Sequence, residues 1–233
     1  MRKIGFIGVF DKFDFVLYVA KILTALGKKV LVIDATINQK ARYVVPALNP
    51  TVRYITEFEE IDVAVGYEDM YSIEEELGQK QEHGLEYDYL LLDIDSDYSF
   101  DNFDMAAADK IYFVTSFDTY SIKRGLQIFS VLKAKMPVTK ILYEKDVLIE
   151  DDEYLNYLSK ESLIEWEENK IYVPFEEGDQ TAIIENQRVA KIKFRKLTQG
   201  YKEALEFVTE ELTNDVSPSN IKKAMRNIEK GVL

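Results

Sequence analysis

The sequence contains no cysteine and only one histidine, His83, among its 233 residues. Without cysteine the chain can form no disulfide, no thiolate zinc site and no cysteine nucleophile. The single histidine also excludes catalysis that needs two or more of them. His83 lies in the polar stretch GQKQEHGLE, which is typical of a solvated loop or helix end. Several common classes of enzyme are therefore excluded.

Basic residues are outnumbered, since 29 Lys and Arg stand against 42 Asp and Glu and give a formal net charge of −13. A surface of this charge repels phosphate backbones, so we expect no general nucleic-acid binding. Long apolar stretches are absent too. None approaches the length of a membrane span, and the apolar run at the N-terminus is too short for a signal sequence. We expect a cytoplasmic protein.

Short apolar runs rich in β-formers alternate with segments of helical periodicity. Residues 3–9, 28–35 and 88–94 each have the pattern of a strand buried on both faces, as in parallel sheets. Further strands are predicted within 51–65 and at 108–116, 138–144 and 170–175, and helices at 14–26, 72–86, 121–134, 150–169 and 195–212. The alternation predicts one α/β domain over residues 1–212, a three-layer, doubly wound, mainly parallel sheet.

The loop after the first strand is the first place to look for a binding site, because ligands of doubly wound sheets bind at the carboxyl ends of the strands. Its sequence is GVFDKFD, residues 8–14. A working P-loop has the pattern GxxxxGK[ST], in which backbone N–H groups and the lysine hold phosphates and the hydroxyl binds Mg²⁺. The loop matches this pattern only in part.

The segments around this loop resemble the ParA/MinD family of P-loop ATPases, which have a deviant Walker A motif. They are YVAKILTALGKKVLVIDAT, DYLLLDIDS, AADKIYFVTSFDTYSIKRGLQIF and IYVPFEEGDQTAIIENQ, and the resemblance covers roughly residues 3–190. It implies the family's P-loop NTPase fold, a site for ATP or ADP with Mg²⁺, and a homodimer that pairs face to face across the nucleotide loops.

The resemblance also implies a set of nucleotide-binding positions: Gly8, Asp11, Lys12, Phe13, Asp14 and Asp93. Lys12 stands where the family has its Walker A lysine, and it is interpreted either as a phosphate contact or as a solvated turn lysine. Asp93 ends the strand that resembles Walker B, where it is either a vestige of the metal site or a carboxylate that caps a loop. Asp93 and Asp95 are candidate ligands for a divalent cation, although a DxD pair is weakly specific.

Four positions depart from the family's pattern. Asp11 replaces the glycine before the lysine, Phe13 replaces the hydroxyl that binds Mg²⁺, and Asp14 stands where threonine is usual. Ile7 occupies the place of the family's second, signature lysine. Two carboxylates here would repel a triphosphate. We expect Asp14 to cap the following helix and to fill the anion site at its N-terminus.

Three functional hypotheses remain open. The first is a pseudo-ATPase scaffold, similar to TadZ-like members of the family, that positions or assembles other proteins and has weak or no ATP hydrolysis. The second is an active ATPase that serves as a spatial organiser with an atypical loop. The third is a flavodoxin-like or response-regulator-like domain with Lys145 as its phosphorylation-site lysine, which the long C-terminal region disfavours.

Aromatic residues cluster near the predicted strand ends. The two clusters are Phe10, Phe13 and Phe15, and Tyr98, Phe100 and Phe103. Large rigid side chains in loops favour a protein-binding surface, which would also suit a homodimer. The alternative is that these rings pack over a closed nucleotide pocket.

Residues 213–233 are predicted to be a linker followed by a basic amphipathic helix. Its apolar positions share one face and are Ile221, Ala224, Met225, Ile228 and Val232. These side chains offer little area to a lipid bilayer, so we expect weak membrane association. Contact with protein, either the chain's own domain or a partner, is the favoured interpretation.

Overall fold

The computed structural model describes residues 1–48, 50–80, 86–144, 152–174 and 176–231. His83, Lys145 and Val232 lie outside these ranges, so the predictions made for them stay untested. The described strands are β1 (Arg2–Ile7), β2 (Val30–Asp34), β3 (Tyr54–Phe58), β4 (Ile61–Val65), β5 (Tyr89–Ile94), β6 (Lys110–Ser116), β7 (Met136–Glu144) and β8 (Ile164–Pro174).

All eight strands form one sheet in the order β3-β4-β2-β5-β1-β6-β7-β8. Every neighbouring pair is parallel except β3 and β4, which form an antiparallel hairpin at one edge. β5 lies between β2 and β1, so the strands predicted at 3–9, 28–35 and 88–94 are adjacent in one parallel sheet. The predicted α/β, mainly parallel fold is confirmed.

The described helices are α1 (Phe13–Ala25), α2 (Ala41–Val44), α3 (Met70–Lys80), α4 (Asp97–Asn102), α5 (Thr119–Ile128), α6 (Glu153–Ser159), α7 (Glu177–Val189), α8 (Gln199–Leu212) and α9 (Pro218–Lys230). They cover both faces of the sheet. Buried side chains of α1, α7, α8 and α9 form one apolar core, and those of α3, α4, α5 and α6 form the other. The molecule is therefore a three-layer sandwich, as predicted.

The prediction of a helix over 150–169 is wrong in its second half. Only Glu153–Ser159 is helical, and β8 begins at Ile164, which pairs with Met136 of β7. The ring of Trp166 packs 5.7 Å from that of Phe113, between ring centroids. Residues 164–169 have a polar, acidic sequence, but pairing with a neighbouring strand and burial of the indole override that local preference.

Helix α9 packs on the chain's own domain, against α1 and α8. Ile221 is fully buried, and Ala224, Met225 and Ile228 are buried beside it. Two ion pairs join α9 to α8: Nζ of Lys222 lies 3.2 Å from Oε1 of Glu206, and Nζ of Lys202 lies 2.7 Å from Oε1 of Glu229. The expected contact with protein is thus made within the chain, and the apolar stripe is covered. None of the described helices combines the length and the hydropathy that crossing a membrane requires.

Candidate functional site

The loop of residues 8–12 joins β1 to α1 at the carboxyl edge of the sheet, where β1, β5 and β2 end side by side. Gly8 opens it with φ of 147°, a conformation that side-chain-bearing residues rarely adopt. A Cβ at this position would lie 2.1 Å from the carbonyl oxygen of Val114 in β6. Glycine is required here because the neighbouring strand approaches the backbone too closely for a side chain.

Lys12 is the last residue before α1, and its side chain turns back into the protein. Its Nζ donates a hydrogen bond of 2.5 Å to the carbonyl oxygen of Gly8 and lies 2.6 Å from Oδ1 of Asp93. Lys12 is only 3% exposed and Asp93 only 2%. The interpretation of Lys12 as a solvated turn residue is therefore wrong, because its ammonium group is committed to a buried ion pair.

Asp93 ends β5 beneath this lysine. Burial raises its pKa to about 7, with the charge of Lys12 acting in the opposite direction and that of Asp34 adding to the rise. Within the described part of the chain, Asp93 Oδ1 accepts no well-aligned hydrogen bond, so the contact with Lys12 is a close ion pair. A carboxylate buried in this way depends strongly on its one cationic neighbour.

The two carboxylates of the loop and the first turn of α1 are held by a lysine from another segment. Nζ of Lys40 donates to Oδ2 of Asp11 and to Oδ2 of Asp14, each at 2.6 Å. Burial lowers the pKa of Lys40, but the charges of Asp14 and Asp11 outweigh it and the pKa is raised. Nε2 of Gln187, in α7, donates a further 2.9 Å bond to Oδ1 of Asp14.

The expectation that Asp14 caps α1 is wrong. The residue at the N-cap is Lys12, which makes no side-chain capping bond, and Asp14 lies inside the first turn. Its charge still lies where the helix dipole favours an anion. Its contacts, however, are made to Lys40 and Gln187, so it fastens α1 to two other segments.

Phe13 points into the core and is only 1% exposed. Phe15, Phe100 and Phe103 are buried too, Phe15 in α1 and Phe100 in α4. The expectation that these rings form an exposed binding surface is therefore wrong for all four, because they fill the two apolar layers beside the sheet. Of the six aromatic residues considered, only Tyr98 is largely exposed, at 60%.

The residues considered for a metal are engaged in contacts of their own. Oδ1 of Asp95 accepts a 2.9 Å hydrogen bond from the backbone N–H of Ile37. Asp34, at the end of β2, accepts hydrogen bonds from the backbone N–H groups of Thr36 and Ala41, at 3.1 and 2.7 Å. Among the described residues there is no group of three or more His, Cys, Asp or Glu side chains that could hold a metal ion.

Two cavities border the loop. One of about 330 Å³ lies above Lys12 and Asp93, and one of about 690 Å³ lies between the loop and helices α7 and α8. The residues present do not fit a magnesium triphosphate. Phe13, which the sequence resemblance puts in place of the metal-binding hydroxyl, is buried, and Lys12 is paired with Asp93. By the same resemblance, Asp11 replaces a glycine whose backbone would be open to phosphate.

No protein-family model and no curated protein sequence matches this chain. Solved structures do match it. A plasmid partition protein from Borrelia burgdorferi B31, bound to AMPPNP, is 14% identical, with a TM-score of 0.62 over 92% of this chain and 99% of that one. MinD of Aquifex aeolicus, in its MinC:MinD cell division complex, is 16% identical, with a TM-score of 0.58 over 94% and 98%. The chain has the ParA/MinD fold.

A third match is a ParA family ATPase from Chlorobium tepidum, which is 13% identical with a TM-score of 0.55 and covers 88% of this chain. The loop at residues 8–12 could be located from the sequence, whereas the contacts that Lys40 and Gln187 make with Asp14 could not. They lie 26 and 173 residues from Asp14. Gln187 ends the segment IYVPFEEGDQTAIIENQ that resembles the family, but that resemblance does not indicate a contact with Asp14.

Proposed function

We propose that this protein is a ParA/MinD-fold scaffold that positions or assembles other proteins through protein contacts, with weak or no ATP hydrolysis. The observation that carries the proposal is the buried pair of Lys12 and Asp93, 2.6 Å apart. A lysine that serves the β- and γ-phosphates must be free to reach them. Here it would first have to leave a carboxylate uncompensated in the protein interior, which costs several kcal/mol.

The charges around the loop support the same conclusion. Asp11 and Asp14 are held by Lys40, which thereby occupies the mouth of the loop with a protein cation and two protein anions. A triphosphate would meet these carboxylates and would have to displace Lys40 from them. Phe13 supplies no oxygen for Mg²⁺. These ion pairs and Phe13 stabilise the loop without a nucleotide, which supports a TadZ-like scaffold role.

The proteins with a similar fold indicate what kind of cellular role this scaffold would have. The structurally similar proteins include a plasmid partition protein and a cell division protein, and the latter is bound to another protein, MinC. Spatial organisation by contact with protein partners therefore suits this fold, together with a homodimer, a cytoplasmic location and at most weak, peripheral membrane association. The dimer is tested by light scattering over a concentration series, comparing the wild type with Tyr98→Asp. A strict monomer at every concentration contradicts it.

The alternative is an active ATPase with an unusual loop, and the AMPPNP bound to the Borrelia protein is the observation in its favour. A calorimetric titration with ATP in Mg²⁺ and a steady-state phosphate-release assay separate the two. We expect no saturable heat and no turnover. The exposed lysine variant Lys133→Ala is the control for Lys12→Ala. Turnover at an ordinary enzymatic rate of about 1 per second or more, abolished by Lys12→Ala but retained by Lys133→Ala, would establish the ATPase instead.

A further inference from the structure

The larger of the two cavities has the dimensions of a ligand site. It encloses about 690 Å³ between the loop at residues 8–12 and helices α7 and α8. Ligand-binding cavities typically measure about 300–1,000 Å³. Four aromatic residues line it, Phe10, Phe15, Tyr143 and Tyr201, and the rings of Phe10 and Tyr143 pack with centroids 4.6 Å apart. Phe15, Tyr143 and Tyr201 are buried, so the apolar surface that a ligand can reach is that of the partly exposed Phe10 and of Ile184, which is 41% exposed.

The charged part of the wall is acidic. Four carboxylates line the cavity, those of Asp11, Asp14, Glu176 and Glu177, against the single ammonium group of Lys40, which leaves a formal charge of −3. Lys40 is already shared by Asp11 and Asp14. Within the described ranges neither Glu176 nor Glu177 forms an ion pair, and both side chains are exposed. The Glu176 carboxylate caps α7 by accepting a hydrogen bond from the backbone N–H of Asp179, and the Glu177 carboxylate lies in the exposed first turn of the same helix. Both negative charges thus lie beside the cavity without a cationic partner among the described residues.

Hydrogen bonds join the helices that form the walls of the cavity, so its shape is fixed by the fold. Asp179, fully buried in the first turn of α7, accepts a 2.7 Å bond from the backbone N–H of Thr198 and a 2.9 Å bond from its hydroxyl. Thr198 is the N-cap of α8, so these bonds fix the start of α7 against the start of α8. The 2.9 Å bond from Gln187 to Asp14 joins α7 to α1 in the same way.

We propose that this cavity binds an organic cation with an apolar stem, the side chain of an arginine or lysine on a partner protein. Carboxylates beside the cavity attract the charged group, and the side chains of Phe10 and Ile184 pack against the methylene stem, as apolar surfaces do with long basic side chains. The same charge disfavours a nucleotide. This inference rests on the proposed scaffold function, and it names the chemistry of the partner that the scaffold would hold.

The test is a titration of isotope-labelled protein followed by its amide chemical shifts in NMR, with four probes used separately. They are N-acetyl-arginine-methylamide, its glutamate counterpart, agmatine as a free amine, and ATP with Mg²⁺. We expect the arginine probe to shift amides at Phe10, Lys40 and Gln187 in a saturable way, and the glutamate probe and ATP to shift none of them. Absence of saturable shifts there with the arginine probe up to about 20 mM, a weak affinity, would overturn the proposal.

Paired variants test the site itself. Glu176→Gln with Glu177→Gln should weaken the arginine probe at least about fivefold, since two of the facing charges are lost. Glu74→Gln with Glu75→Gln makes the same change of charge on exposed residues of α3, on the opposite face of the sheet, and should leave the affinity unchanged. Equal weakening by both pairs would show non-specific attraction and overturn the proposal.

The results with agmatine and with ATP also test the proposal. Saturable binding of agmatine without binding of the arginine probe would replace the partner side chain by a free amine and overturn the proposal as stated. Binding of ATP at these amides would overturn this inference, whereas the proposed function, which allows weak hydrolysis, is overturned only by the phosphate-release assay. If neither ATP nor the arginine probe binds, this inference fails while the proposed function stands.

Discussion

Replacing Lys12 by methionine should destabilise the protein strongly, because it leaves Asp93 without its cationic partner. The two groups lie 2.6 Å apart and both are almost completely buried. Breaking a buried pair by removing one member costs about 3–5 kcal/mol. For a chain of this length each kcal/mol lowers the melting temperature by about 2–4 °C, so we expect a fall of roughly 6–20 °C at pH 8.

The loss should depend on pH, and its sign follows from the pKa of Asp93. Burial raises that pKa to about 7 even with Lys12 in place, and Lys12 acts to lower it. Without Lys12 the pKa rises further, so the folded variant binds more protons than the unfolded chain from about pH 4 upwards. The variant therefore loses stability as the pH rises through this window. Its deficit relative to the wild type should be smaller at pH 5 than at pH 8.

The assay is urea unfolding followed by circular dichroism at both pH values. Lys135→Met is the matched control, because Lys135 forms a pair with Glu165 at a similar distance, 2.9 Å, but on the surface. It should change stability by less than about 1 kcal/mol. Lys12→Met combined with Asp93→Leu should recover much of the loss, because no buried charge remains unpaired. Equal effects of Lys12→Met and Lys135→Met at pH 8 would refute the reasoning.

Four other predictions concern Gly8, Gly78 and helix α9. Gly8→Ala should prevent normal folding or cost at least about 3 kcal/mol, because its Cβ would lie 2.1 Å from Val114 O. Gly78→Ala, where a Cβ meets nothing within 4 Å in helix α3, should instead stabilise by up to about 1 kcal/mol in the same unfolding assay. Ile221→Ala should lower the free energy of unfolding by about 2–5 kcal/mol, because the side chain of Ile221 is fully buried where α9 packs on α1 and α8. Lys223→Ala, at an exposed position of the same helix, should be close to neutral, and equal melting temperatures of the two variants would contradict the docking of α9. Binding to anionic vesicles in co-sedimentation should be weak and abolished by salt, since the apolar face of α9 is covered, and salt-resistant binding lost on truncation after Asp215 would contradict this.

The chain's own sequence determined the fold because the signal for it is local. A strand buried on both faces must be largely apolar. The runs at β1, β2 and β5 satisfy this condition, with charged residues only at or next to the strand ends. Segments of helical period separate them, and such alternation leaves few arrangements other than a doubly wound sheet. The position of the loop at residues 8–12 followed from the same pattern.

Only the tertiary structure decided how the charged side chains of that loop are paired. Whether Lys12 faces solvent or Asp93 depends on how closely β1 and β5 pack, and the two residues are 81 positions apart in the chain. The neutralisation of Asp11 and Asp14 depends on Lys40, which no local pattern connects to them. An ion pair leaves no periodicity in a sequence, because it requires only that two side chains meet in space. Strand and helix patterns persist over many residues, and for that reason they could be predicted when these contacts could not.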